Sequence, residues 1–275
     1  MKYTYYPGCS VKSTEIGYEN SLKACSEVLE IELNELDDWN CCGATIFPKL
    51  NRKAYLLLSV RNLALAENYG KDIVTVCNGC LTALSKTNFY LQQNRDAFEK
   101  INRVLEKLGL NYQGKIKVRH FLEILIKDIG QKKIEEKIKK RIRGVRVAPY
   151  YGCQYSRPFG PEHPENPHYL ENLLILLGAE VVDASFKTNC CGGILTIAED
   201  NSHKLIKSIL EDAKRLKADF IVTICPLCEI NLQLFQKKIG IFIPVVYFTQ
   251  ILGYCLGIEI SKLGKEIYSF KGLLK

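Results

Sequence analysis

Asp72-Ile73-Val74-Thr75-Val76-Cys77, continuing as Asn78-Gly79-Cys80, is answered 148 residues later by Phe220-Ile221-Val222-Thr223-Ile224-Cys225, continuing as Pro226-Leu227-Cys228. Each stretch is a short β-branched run of the kind that forms a buried strand, and each ends in a Cys-x-x-Cys pair. Working outward, Asn40-Cys41-Cys42-Gly43 matches Asn189-Cys190-Cys191-Gly192, and Tyr5-Tyr6-Pro7-Gly8-Cys9 matches Tyr150-Tyr151-Gly152-Cys153. In the first set 31 residues separate Cys9 from the CC pair and 34 separate that pair from Cys77; in the second the gaps are 36 and 33. Offsets between equivalent cysteines stay within 144 to 149. Unrelated cysteines would not keep that register, so the chain is a duplication with two domains.

Strands and helices alternate in both halves. In the first, Lys2–Tyr6, Ile31–Leu36 and Asp72–Val76 read as strands, with helices over Thr14–Glu30, N-capped by Thr14, and over Arg52–Tyr69. In the second, Val145–Tyr150, Glu180–Asp183 and Phe220–Ile224 read as strands. Such alternation predicts an α/β fold: two pseudo-symmetric Rossmann-like halves, each with a short parallel sheet. Each candidate ligand then falls just past a strand, at the carboxyl edge where open α/β sheets place binding crevices. The expected domains are 1–144 and 145–275, with 91–144 a mostly helical insertion carrying a short strand near Ile116–Val118 and lacking an equivalent in the second half. Its tail, Lys132–Arg146, holds eight basic and two acidic residues and reads as a solvated helix face over an Ile134, Ile138, Ile142 stripe. The competing reading is a dock for an acidic partner.

Composition bounds the rest. The 275 residues are 47% apolar and 25% charged, which excludes a disordered or collagen-like chain and suits one or two cored domains. Twelve cysteines in a chain this long, with no signal-like apolar start, suggest ligands in a reducing cytoplasmic compartment rather than a disulfide framework. The net charge of +8 counts every Cys as neutral, so part of it can balance thiolates; no basic–aromatic interleaving points to nucleic acid. From Ile239 to Ile258 no residue is charged, but Pro244, Gly253 and Gly257 argue for a strand over Phe242–Phe248 and a helix capped at Thr249 instead of a membrane span.

Each half offers five thiols: Cys9, Cys41, Cys42, Cys77 and Cys80, then Cys153, Cys190, Cys191, Cys225 and Cys228. Structural zinc takes four ligands and would leave one unused. Vicinal cysteines bridge only through strain. Iron–sulfur chemistry fits better, and a fifth thiol suggests a non-standard cluster, with Gly43 and Gly192 letting backbone approach it. Zinc at one site stays open as the alternative.

The doubled pattern Cys…Cys-Cys-Gly…Cys-x-x-Cys resembles the CCG-domain family, and within it the B subunits of heterodisulfide reductases. Val74–Cys80, Val118–Phe121 and Pro244–Gly253 share in the likeness, which runs from Tyr3 to about Gly257. The resemblance implies two non-cubane [4Fe–4S] clusters, one on each five-cysteine set. It also implies two partner chains, a flavin-containing A subunit with a small iron–sulfur C subunit that delivers electrons. The implied reaction is reduction of a disulfide, the coenzyme M–coenzyme B heterodisulfide being the family's best-known substrate and lipoyl disulfides another. Gln154 departs from the methanogen proteins, which carry His there. The alternative function is an electron-transfer subunit of a quinone-linked succinate, lactate or glycerol-3-phosphate dehydrogenase.

Other residues carry less. Cys25 and Cys255 read as small core residues, and His120 as structural. His163 and His168, in and after the loop Arg157–Pro167, are candidates to donate protons at the cleft mouth, and Lys187 to attract an anionic substrate group.

Overall fold

The computed structural model describes residues 1–193, 199–264 and 267. The first half runs β1 (Lys2–Tyr5), α1 (Cys9–Ser13), α2 (Ile16–Val28), β2 (Glu32–Glu35), α3 (Phe47–Leu50), α4 (Arg52–Glu67), β3 (Ile73–Thr75), α5 (Asn78–Gln93), α6 (Arg95–Glu106), β4 (Val118–His120), α7 (Phe121–Ile124) and α8 (Gln131–Lys137). The second runs β5 (Arg146–Tyr150), α9 (Tyr169–Leu176), β6 (Glu180–Val181), α10 (Glu199–Arg215), β7 (Phe220–Thr223), α11 (Pro226–Leu234), α12 (Gln236–Ile239), β8 (Val245–Tyr247) and α13 (Phe248–Cys255). Strand order is β2-β1-β3-β4 in one sheet and β6-β5-β7-β8 in the other, and every pairing is parallel. The two pseudo-symmetric α/β halves expected from the repeat are therefore present. Order reverses between β1 and β3, and between β5 and β7, so a crevice is expected at the carboxyl ends of those strands.

The repeat is longer than the cysteines mark. The segment 91–144, read above as an insertion, holds β4 and α7, which occupy the places of β8 and α13. His120-Phe121 and Ile124-Leu125 align with Tyr247-Phe248 and Ile251-Leu252. What the first half adds is α6, the loop after it and α8. The basic tail is not one solvated helix: α8 stops at Lys137, Lys133 and Lys137 pair with Glu30, Arg141 pairs with Glu135, and Lys140 lies 3.4 Å over the Tyr254 ring.

The halves exchange helices. α2 packs along α13, and α9 against α7 and α8. Tyr18 stacks on Tyr247 at 3.8 Å, and Ser21 Oγ meets Thr249 Oγ1 at 2.7 Å. Cys25 donates to the Thr249 carbonyl at 3.2 Å, and both Cys25 and Cys255 are fully buried, as core residues should be.

Several boundaries shift for local reasons. Gly8, at φ +77°, turns the chain straight into α1 at Cys9, so Thr14 closes that helix and α2 starts at Ile16. Gln250 accepts the Tyr247 N–H at 2.9 Å, so α13 begins at Phe248 and Thr249 sits inside it. Phe242 lies outside β8 and is exposed. Among the described residues no helix is long and apolar enough to cross a membrane. Beyond Gly264 the C-terminal segment, Ile267 apart, lies outside the described residues.

His120 caps α7, its Nδ1 accepting the Leu122 N–H while Nε2 bonds the Ile224 carbonyl of the other half, both at 3.1 Å. Burial lowers its pKa to about 4. Between that value and the unfolded value of about 6.5 the unfolded chain binds the extra proton. Stability is thus full above about pH 6.5 and falls toward pH 4, by up to about 3 kcal/mol. Denaturant titrations of wild type and His120→Gln across that window should show the slope shrinking in the variant.

Candidate metal centre

All ten repeat cysteines line one cavity of about 250 Å³, five from each half. Their placement follows from the sheets. Cys9 begins α1 just past β1, and Cys153 follows β5. Cys41-Cys42 and Cys190-Cys191 lie in loops after β2 and β6. Cys77 and Cys225 are the N-caps of α5 and α11, with Cys80 and Cys228 in the first turns, where free backbone N–H groups favour anionic sulfur.

The CC loops are tied by matching bonds. Tyr6 donates to the Asn40 carbonyl at 2.8 Å and Tyr150 to the Asn189 carbonyl at 2.6 Å. Asn62 grips the Asn40 backbone through both N–H and carbonyl, Ser59 donates to the Cys42 carbonyl, and Asn231 donates to the Cys191 and Gly193 carbonyls. Asn78 reaches across the halves to the Tyr151 carbonyl at 2.6 Å. Its buried Oδ1 has no hydrogen-bond partner among the described residues.

Sulfur meets sulfur around the wall: Cys9 and Cys41 at 3.7 Å, Cys42 and Cys80 at 3.5 Å, Cys191 and Cys228 at 3.6 Å. Cys77 and Cys225, one from each half, also influence each other electrostatically. These contacts split the thiols electrostatically. Bonding to Cys41 pushes Cys9 up, and bonding between Cys153 and Cys190 pushes Cys153 up and Cys190 down to about 6. Cys42 is held low by Cys41 and Cys80, which leaves Cys80 raised. Burial works to raise Cys225, but bonds from Cys228 and Cys77 outweigh it, and Cys77 rises in turn.

This donor set suits a multi-metal core. Deprotonating all ten thiols would gather anions that no lining residue offsets, since no Lys, Arg or His among the described residues lines the cavity. Metal cations must supply that charge. The sulfurs form a wall instead of closing on a point: among the described residues no three His, Cys, Asp or Glu side chains gather around a single-ion position. The residues therefore fit a polynuclear iron–sulfur group.

Of the two glycines that follow the CC pairs, Gly192 lines the cavity and Gly43 donates its N–H to Cys41 Sγ at 3.5 Å. A Cβ on Gly43 would press on Leu58 at 3.3 Å, and one on Gly192 on Ser202 at 3.1 Å, so both let the CC loops pack on α4 and α10. The glycines that admit sulfur are Gly8 and Gly152, where a Cβ would stand 2.8 Å from Cys80 Sγ and from Cys228 Sγ. Their signal was the Gly-Cys pair that opens both sets.

Three expected substrate-side residues are elsewhere. Lys187 is neither in the cavity nor solvated: its ammonium donates to Glu171 at 2.7 Å and to the Pro167 carbonyl at 3.1 Å. His163 Nδ1 accepts the Glu165 and Asn166 N–H groups of its own loop. His168 is the N-cap of α9. Neither histidine lines the cavity.

A family model for the CCG cysteine-rich domain matches residues 3–85 and 147–233. The chain belongs to the CCG cysteine-rich domain family. Among curated relatives of this CCG protein, the 8-methylmenaquinol:fumarate reductase membrane anchor subunit of Wolinella succinogenes is 33% identical, over 96% of this chain and 95% of its own. A protein of Archaeoglobus profundus described as like the heterodisulfide reductase B subunit is also 33% identical, over 96% and 93%. The B subunit of the ferredoxin:CoB-CoM heterodisulfide reductase of Methanosarcina mazei is 31% identical, over 96% and 92%. A crystal structure of a hypothetical protein from Helicobacter pylori aligns with TM-score 0.70 at 14% identity, covering 96% of this chain and 50% of its own, and speaks to the fold alone. The CCG match, the relatives' names and the ten-thiol wall together support an iron–sulfur redox subunit.

Proposed function

We propose that this chain is the catalytic iron–sulfur subunit of a heterodisulfide reductase-like complex, working with a flavin-containing A subunit plus an iron–sulfur C subunit. The observation that carries the reading is the meeting of two five-thiol sets on one cavity wall. Two non-cubane [4Fe–4S] clusters, one held by Cys9, Cys41, Cys42, Cys77 and Cys80 and the other by Cys153, Cys190, Cys191, Cys225 and Cys228, would together supply the two electrons that cleaving an S–S bond requires. The chain's own part is positional. The Asn40 and Asn189 carbonyls, fixed by Tyr6 and Tyr150, hold the CC loops at the rim. The unpartnered Asn78 Oδ1 offers an acceptor at the seam.

Cys41→Ser and Cys190→Ser test the reading in anaerobically purified protein. Each variant should lose iron and acid-labile sulfide and at least about a hundredfold in disulfide reduction, as losses of metal ligands do. Both variants keeping full iron and full turnover would end the proposal. A second reading, an electron-transfer subunit of a quinol-linked reductase, is favoured by the named function of the Wolinella relative. Electrons passing between a menaquinol and fumarate, with no disulfide reduced, would select it.

A further inference from the structure

A second cavity, of about 440 Å³, shares none of its lining with the cysteine wall. It runs along β4, the end strand of the first sheet, between α5 and the second-half loop that carries Phe159 and Pro161. β4 pairs with β3 alone, and the Ile73 N–H donates to the Lys117 carbonyl at 2.9 Å. Backbone groups alternate in direction along a strand. Lys117 and Arg119 therefore face β3, while Val118 turns its N–H and C=O away from the sheet.

Just upstream, α5 stands in for a neighbouring strand. Gln92 donates to the Gly114 carbonyl at 2.8 Å, and Asn88 to the Ile116 carbonyl at 2.9 Å. Ser85, one turn earlier on the same helix face, is the residue placed to serve Val118. Its hydroxyl has no hydrogen-bond partner among the described residues, and neither have the N–H and C=O of Val118. The cavity fills that gap. The matching strand of the other sheet is closed: every residue of β8 is buried. Gln236 also holds the chain leading into β8, accepting the Ile243 N–H at 2.9 Å and donating to its carbonyl at 2.7 Å. Val118 and Arg119 are only half-buried, so β4 presents to solvent an edge that β8 covers.

Side chains around the groove narrow the choice of occupant. The rings of Phe89 and Phe159 meet at 5.3 Å and Phe89 is 52% exposed, which leaves an aromatic shelf for an apolar side chain. Arg119 is committed to Glu123 and Asp128, and Asp72 Oδ1 accepts the Lys117 N–H at 3.2 Å. The Lys117 ammonium, by contrast, is exposed and has no ion-pair partner among the described residues. We infer that this groove receives an extended peptide segment of a partner chain by strand addition on β4. Main-chain bonds would run to Val118, an aromatic or aliphatic side chain would lie on Phe89 and Phe159, and an acidic one would meet Lys117. An extended peptide is the ligand whose own backbone carries the matching donor and acceptor. The inference does not depend on the redox reading, because no cysteine takes part in the groove.

A displayed library of random peptides, selected on the full chain purified anaerobically, tests the inference. Selection should converge on peptides that combine an aromatic or aliphatic residue with an acidic one. The enriched peptide, once synthesised, should slow hydrogen exchange at the Val118 amide. N-methylating one set of its alternate amides should abolish binding, and methylating the other set should leave it. Val118→Pro deletes the outward N–H while sparing the bonds to β3, and should weaken the peptide about tenfold. Phe89→Ala should weaken it on the order of tenfold and Lys117→Glu about threefold. Both of these replace exposed side chains, so they decide the matter should Val118→Pro fail to fold. No enriched family, or one that binds these variants as tightly as wild type, would overturn the inference. A dimer of the chain that Val118→Pro dissociates would overturn it too, by giving the edge to a second copy.

Discussion

Gly8→Ala and Gly152→Ala should each remove about half of the bound iron, and the double variant nearly all of it. Both residues sit at left-handed φ, +77° and +72°, where an L side chain is strained by about 1–3 kcal/mol. Strain alone would leave a folded protein with intact sites. The larger effect is steric: the new methyl would stand 2.8 Å from Cys80 Sγ in one half and from Cys228 Sγ in the other, closer than carbon and sulfur can approach. Sulfur or backbone has to move, and both place the cysteines proposed as cluster ligands. Gly109→Ala is the control, because Gly109 shares the left-handed φ, at +68°, but has no described residue within 4 Å of its Cβ position. Iron and acid-labile sulfide per chain decide the matter: halved in either glycine variant and unchanged in the control. Full occupancy in Gly8→Ala would mean that Cys80 does not hold metal in this position.

The two glycines illustrate what the sequence can and cannot convey. Repetition was legible wherever a cysteine marked it, because ligand chemistry allows little drift in spacing. The β4–α7 unit was missed as a repeat because its shape rests on packing, where His120 and Tyr247 are interchangeable as caps that reach the opposite half. Short all-buried strands such as Ile73–Thr75 announced themselves by β-branched composition, so sheet class and order of elements followed directly. Helix starts were less secure. Thr14 looked like an N-cap, but Gly8 had already begun a helix at Cys9, and a positive φ is not visible in a residue name. The exchange of α2 and α9 between halves was also illegible, since periodicity reveals which face of a helix is apolar and never what covers it. Lys187 failed for the same reason: its partner Glu171 lies sixteen residues away on another element.

That partnership should dominate the stability of the second half. Glu171 accepts from Lys187 through Oε1 and from the Tyr151 hydroxyl through Oε2, and both charged side chains are close to nine-tenths buried. The Lys187 carbonyl meanwhile receives the Tyr151 N–H at 2.8 Å and the Gly152 N–H at 3.1 Å, so the ion pair fixes the turn that delivers Cys153. Glu171→Ala leaves the buried Lys187 ammonium with the Pro167 carbonyl but without its counter-charge and should cost about 3–5 kcal/mol, a fall in Tm of roughly 10 °C or more. Lys187→Met leaves the carboxylate partly satisfied by Tyr151 and should cost less. The double variant Glu171→Leu with Lys187→Met removes both charges and should recover much of the loss, giving a coupling well above about 1 kcal/mol in a double-mutant cycle. Surface ion pairs of the chain, such as Lys100 with Asp96, would show no such coupling because solvent screens them. Additive losses in the cycle would mean that the buried pair contributes packing alone. Iron retained at the first site and lost at the second in Glu171→Ala would tie the pair to the placement of Cys153.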